Sequence, residues 1–104
     1  MEQHIKKIAE ELKKRIIKKY KLQDMRIFGS SARGEQRKDS DIDIFVHLDH
    51  SDRHIEEELF DVSYDIELEY DCLIDLIIID DEDVKGKIGS APIYENIISE
   101  GASV

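Results

Sequence analysis

The chain holds a single cysteine, no long apolar run and few basic residues outside its first fifth. The lone Cys72 cannot close an internal disulfide, which fits a reducing cytoplasm. Its neighbours Asp71, Leu73 and Ile74 mark it as a packed strand residue rather than a nucleophile. No apolar run approaches the roughly 18 residues a membrane helix needs. The first apolar positions are periodic and interrupted by Lys and Glu, so nothing at the start resembles a signal peptide. Internal repeats, low-complexity segments and linkers are also missing. A chain of 104 residues with 40% hydrophobic content reads as one globular domain over 1–104, with a single modest core and no space for a second.

The scarcity of positive charge is uneven. Residues 1–21 hold eight Lys/Arg against three Glu, a net of +5, and residues 22–104 hold seven against twenty-two Asp/Glu, a net of −15. Nucleic-acid affinity rests on neutralising phosphates with Lys and Arg, so this acidic body argues against direct nucleic-acid binding. It suits a basic partner, or a site whose acidity is offset by metal. Any single acidic run reads by default as a solvated helix face.

What is present is a pairing of two short motifs. Phe28 is followed by Gly29-Ser30, then ten residues, then Asp41-Ile42-Asp43 at the head of the apolar run Ile44-Phe45-Val46. Alternate side chains of a strand share a face, so Asp41 and Asp43 project together while Ile42 and Ile44 project oppositely. Two carboxylates held side by side repel unless a cation lies between them. Hard divalent cations such as magnesium take oxygen ligands, often one or two carboxylates plus substrate phosphates. Gly29 permits close approach of backbone to ligand, and a helix starting near Ser31 would aim free N–H groups at an anion. Metal site and phosphate cradle in succession point to nucleotide chemistry.

Periodicity places the remaining elements. Ile5, Ile8, Ala9, Leu12, Ile16 and Tyr20 recur at helical spacing over residues 2–20, with a Lys-rich opposite face. Gln23–Phe28 reads as a short strand, Ser31–Arg37 as one or two helical turns, and Asp41–Leu48 as a strand dominated by Ile, Phe and Val. After a loop over 49–53, His54–Tyr70 carries Ile55, Leu59, Val62, Ile66 and Tyr70 at helical spacing. Leu73–Ile79 reads as a buried strand bounded by the acidic run Asp80–Asp83. Ser90 begins a last helix, with Pro92 in its first turn and Gly101 at its end. Strands separated by helices make an α/β fold, a small sheet of about three strands with helices packed against it.

Asp75 stands inside the third apolar run, Cys72-Leu-Ile-Asp-Leu-Ile-Ile-Ile79. A carboxylate amid that much apolar surface is costly unless paired or metal-bound. If this strand lies beside Asp41–Leu48, Asp75 completes a triad with Asp41 and Asp43. Alternatively it sits at a solvent-facing strand end. Periodicity by itself favours neither.

These residues carry a resemblance. Gly29-Ser30, the ten-residue gap and Asp41-x-Asp43 resemble the signature of the polymerase-β-like nucleotidyltransferase superfamily, and the compact size is similar to its minimal nucleotidyltransferase (MNT) branch. The likeness runs from the first helix to the closing Pro92–Gly101 segment, and it implies that the small α/β sheet is mixed. It implies that Gly29 and Ser30 hold a nucleoside triphosphate and that Asp41 and Asp43 bind two Mg2+ ions. Asp75, which matches the third acid by position, shares one metal and helps activate the attacking hydroxyl. Arg33 beside the cradle either contacts phosphate or pairs with a nearby acid. Ser31 and Lys38 depart from the commoner pattern, which has a large basic residue and a proline at those places.

The core consumes the whole length, so the acceptor is expected on another chain or at a homodimer interface. MNT proteins resembling this one commonly act beside a small helical HEPN ribonuclease toxin. The implied role is that of an antitoxin in a hetero-oligomer, moving AMP from ATP to a tyrosine hydroxyl of the toxin. Two alternatives stand beside it: an antitoxin that only masks its partner, and the catalytic subunit of a small-molecule nucleotidyltransferase. Other candidates are weaker. His47 shares the Asp41/Asp43 face and reads as a structural or rim residue. His50 and His54 lack acidic or thiol partners at a convincing zinc spacing. Tyr64, Tyr70 and Tyr94 read as core or boundary aromatics.

Overall fold

The structure, a computed structural model, describes residues 3–33 and 41–104. Ten elements follow in order: α1 (Gln3–Ile17), β1 (Leu22–Ile27), α2 (Gly29–Arg33), β2 (Ile42–Leu48), α3 (Arg53–Tyr70), β3 (Ile74–Asp80), α4 (Asp81–Lys85), a 3-10 turn (Ile88–Ser90), α5 (Pro92–Glu100) and β4 (Ala102–Ser103). The sheet order is β3-β2-β1-β4. Strand β1 is antiparallel to both β2 and β4, and β2 is parallel to β3, so the sheet is mixed as expected but has a fourth strand. Two residues of β4 are too short to carry a period-2 pattern, which hides it from sequence reading.

Strand alternation divides the core between the two faces of the sheet. Ile42, Ile44, Val46 and Leu48 of β2, with Met25 and Ile27 of β1 and Leu76 of β3, pack against α1 and α3. From α1 come Ile5, Ile8, Ala9, Leu12 and Ile16, the spacing read from the sequence; from α3 come Leu59 and Ile66. Each of these side chains larger than Ala9 contributes about 1.5–3 kcal/mol by leaving water. Ion pairs from Arg15 to Glu69 (2.8 Å) and from Lys19 to Glu58 (2.6 Å) bridge the two helices at their exposed edge, where such pairs contribute little. The opposite face is smaller: Phe45, Ile79 and Ile97 form its buried centre, with Phe28, Ile77, Val84, Tyr94 and Ile98 around them.

Capping explains where the helices begin and end. The Asp52 carboxylate accepts from the Ile55 N–H (2.9 Å) at the start of α3, and this bond holds its pKa below the usual aspartate range. At the other end Asp71 adopts a left-handed backbone (φ 51°), a conformation aspartate tolerates better than most residues. Pro92 opens α5 and Gly101 closes it, as the sequence predicts, but Ser90, read as the helix start, ends the preceding 3-10 turn and Ala91 takes the N-cap position.

Several expectations are corrected. The run Asp80–Asp83 does bound β3, but it also forms the N-terminus of a helix not expected there, α4. Asp80 accepts from the Asp83 N–H (2.9 Å) and the Asp83 side chain accepts from the Asp80 N–H (3.1 Å). Acidic residues at a helix start satisfy unpaired N–H groups. Cys72 precedes β3 rather than lying in it; it is half-buried against the larger core, and burial pushes its thiol up from the usual range. Tyr64 is 60% exposed, so it is a surface aromatic, whereas Tyr70 and Tyr94 are partly buried. Of the helical turns expected over Ser31–Arg37, Gly29–Arg33 form α2; residues 34–37 and Lys38 lie outside the described residues.

Candidate active site

The smaller face of the sheet carries the polar residues. Strand β2 is buried throughout except at Asp43 and His47, which are half-buried and lie on the same face as Phe45. Register decides what stands beside them. Asp43 pairs with Asp75 across the parallel β2/β3 ladder, and directly paired residues of neighbouring strands project to the same face with Cβ atoms about 5 Å apart. Asp41 lies just ahead of β2 in the same strand phase and is exposed. Asp75, second residue of β3, is also exposed. The desolvation cost that singled it out in the sequence therefore does not arise. It is the register, not burial, that ties Asp75 to Asp43.

The turn after β1 comes close to this pair. The Phe28 N–H donates to the Asp43 carbonyl (3.1 Å), carrying the β1/β2 pairing up to the turn. Gly29 then takes φ +64°, and a Cβ placed on it would lie 2.6 Å from the Asp43 Oδ2. Glycine is needed twice over, for the backbone angle and for the space. Backbone and carboxylate thus share a wall. Ser30 follows in α2 at the rim.

Ser31 is a residue whose place the sequence did not disclose. It is fully buried, and its hydroxyl accepts from the Asp43 N–H (3.4 Å) and lies 3.5 Å from the Asp41 carbonyl. A small hydroxyl in the turn thereby ties α2 to the strand entry that carries both acids. The only available signal was a second small hydroxyl after Gly29-Ser30. Arg33 ends α2, and its side chain lies outside the described residues.

His47 turns out to be structural. Its imidazole N–H faces the Asp81 carboxylate at 2.7 Å, joining β2 to α4, and it lies four positions along the strand from Asp43, about 13 Å away. His50 and His54 sit near Asp52 (3.5 Å) and Glu58 (3.6 Å) respectively. Among the described residues no three His, Cys, Asp or Glu side chains are gathered to hold a metal ion. A closed protein cage is not what magnesium uses, however. It is held through one or two carboxylates and completes its shell with water and substrate phosphates. The hard oxygen donors of Asp43 and Asp75, next to a glycine wall, fit a divalent cation of that kind.

Comparison with known proteins bears on the reading. Residues 5–102 match the family model described as a nucleotidyltransferase domain. Two candidate protein adenylyltransferases of Methanocaldococcus jannaschii, MJ1379 and MJ1215, are 51% and 50% identical over 45 and 44 residues. Those segments cover 43% and 42% of this chain and 45% and 51% of the relatives, so the match spans about half their length. In three dimensions the chain resembles a candidate minimal nucleotidyltransferase, with TM-score 0.67 and 22% identity over 96% of this chain and 92% of the other. It also resembles a chain of a toxin–antitoxin crystallised with AMP-PNP, with TM-score 0.60 and 24% identity over 90% and 70%. At these identities the likenesses concern the fold. No helix among the described residues is long and apolar enough to cross a membrane. With a family match over nearly its whole length, on a mixed α/β sheet that pairs a glycine turn with facing carboxylates, the chain belongs to the nucleotidyltransferase domain family.

Proposed function

We propose that the chain transfers AMP from ATP to a hydroxyl of a partner protein, a tyrosine of a HEPN-type toxin, and acts as its antitoxin. The observation that carries the transfer reading is the conjunction at Asp43: Asp75 is its register partner and Gly29 packs against its carboxylate. In this reading Asp41, Asp43 and Asp75 hold two Mg2+ ions. Such ions neutralise the triphosphate and its pyrophosphate leaving group and acidify the attacking hydroxyl.

The chain's own residues do the rest. The backbone N–H groups following Gly29 and the Ser30 hydroxyl hold the triphosphate oxygens, fixing the α-phosphorus beside the carboxylates. Arg33 contributes a further phosphate contact or anchors the turn. Asp75, at the open end of β3, accepts the proton of the incoming hydroxyl. That hydroxyl's oxygen forms a bond to the α-phosphorus as the bond to the bridging oxygen breaks, and pyrophosphate leaves. Ser31 acts through Asp43 as a positioning residue. The role of partner and target follows the MNT resemblance, together with the relatives named for adenylyl transfer and the toxin–antitoxin likeness.

A masking antitoxin without chemistry is the second reading, and one observation favours a protein contact in either case. Phe60, Tyr64 and Leu68 of α3, exposed by 48%, 60% and 66%, form an i, i+4, i+8 stripe. Exposed Glu57, Asp61, Asp65 and Glu69 flank it. Such a stripe fits a basic partner surface with an apolar centre. Intact mass of the partner after incubation with this chain, ATP and Mg2+ separates the readings. Addition of AMP that is lost with Asp43→Asn and Asp75→Asn supports transfer. A bound partner of unchanged mass supports masking.

A further inference from the structure

A second opening lies on the other side of Gly29. A cleft of about 210 Å3 runs between the end of β1 and α5, lined by Phe28, Gly29, Ile93, Asn96, Ile97 and Glu100. The four α5 residues fall at i, i+3, i+4 and i+7, a single helix face. That face is mixed in character. Ile97 is buried in the smaller core, whereas Ile93 is left 57% exposed at the cleft wall, and Asn96 and Glu100 are exposed beside it. The cleft wall thus sets an exposed isoleucine next to an amide and a carboxylate. It suits a flat ligand with an apolar face and a polar edge.

We infer that this cleft takes the nucleoside end of the nucleotide, with Asn96 reading the base and Glu100 the ribose. The inference rests on the proposed transfer site, because it uses Gly29 as the wall common to both openings. Ligand clefts that bury a whole drug-sized molecule run to about 300–1,000 Å3; this one is smaller and holds a part of one, with the phosphates lying outside it over Gly29 and Ser30. Phe28 and Ile93 supply apolar walls for a ring. Asn96 carries both a donor and an acceptor, and the adenine N6/N7 edge presents the complementary pair. The same edge of guanine presents two acceptors and leaves the amide oxygen opposed. Glu100 only accepts when ionised, which matches the two ribose hydroxyl donors. The cleft therefore prefers adenine nucleotides.

Calorimetric titration of the chain with ATP, GTP and tripolyphosphate, each with Mg2+, tests this. The wild type is expected to bind ATP about tenfold or more tighter than GTP. Asn96→Ala should bring the two affinities within about threefold of each other, losing far more for ATP than for tripolyphosphate. Glu100→Gln should weaken ATP and 2′,3′-dideoxy-ATP unequally, narrowing the gap between them. Both sites are exposed, and a melting curve checks the fold of each variant. Nuclear Overhauser contacts between adenine protons and the Ile93 methyls supply a direct readout. Unaltered ATP affinity and ATP/GTP ratio in both variants, while Asp43→Asn abolishes Mg2+–ATP binding, would overturn the cleft assignment and leave the transfer site standing. A wild type that binds neither ATP nor tripolyphosphate would overturn both.

Discussion

The two faces of the sheet are built from the same strands and obey different rules. Against α1 and α3, Ile42, Ile44, Val46 and Leu48 meet an unbroken apolar layer. On the other face β2 alternates Asp43, Phe45 and His47, and only the middle residue is buried. The first face supplies cohesion, so the second can hold repelling carboxylates, an open cleft and a left-handed glycine. Adjacent positions in one strand thus separate stability from chemistry.

The sharpest way to break this contrast is to change neighbours. Asp43→Asn should lower AMP transfer on the order of a thousandfold or more, the several kcal/mol that metal-held charge contributes to a transition state, with no loss of melting temperature. Ile44→Ala, one residue away on the dry face, should cost about 2–5 kcal/mol of folding stability by denaturant titration. Transfer per folded molecule should stay near wild type. A destabilised Asp43→Asn or a stable Ile44→Ala would dissolve the division between the faces.

Gly29→Ala probes where the faces' demands meet. The left-handed angle costs about 1–2 kcal/mol for an ordinary residue, and the new methyl displaces the Asp43 carboxylate. Stability and transfer should therefore fall together, unlike in either neighbour above. Both are read by parallel melting and mass assays.

Asp80 tests a smaller effect at the far end of β3. Hydrogen bonds from the Asp83 and Ser51 N–H groups hold its carboxyl below the usual aspartate range. A depressed carboxyl contributes stability that is present above its ordinary range and is lost as pH falls through the folded value. Asp80→Ala should thus cost about 0.5–2 kcal/mol at neutral pH, and the difference from wild type should shrink as pH drops below about 4. Denaturant midpoints across that window read it directly. Smallest of all, Asp71→Gly at the left-handed end of α3 should raise stability by under about 1 kcal/mol.

Much of the dry face was legible beforehand. The helical spacing of Ile5, Ile8, Leu12 and Ile16 and the β-branched run at Ile42–Leu48 need only local periodicity, and they form the elements expected of them. A small α/β sheet followed from their alternation, and its mixed pairing from the family resemblance. Elements without periodicity escaped: β4 is too short, and α4 begins in an acidic run whose capping geometry depends on where β3 stops. Tyr64 and Cys72 were misplaced because an apolar or aromatic residue type does not say which side of its element the core occupies.

At the candidate site the division is similar. Gly29, Ser30, Asp41 and Asp43 were marked by residue type and spacing alone, because a turn and a strand phase are local properties of the chain. That Asp75 faces Asp43, that Gly29 abuts its carboxylate, that Ser31 is buried beneath the strand entry and that α5 leaves a cleft at Phe28 were decided by the tertiary structure. Each depends on a register or a packing distance between segments remote in sequence, and those are set by how the whole sheet closes over its core rather than by any one segment's own preference.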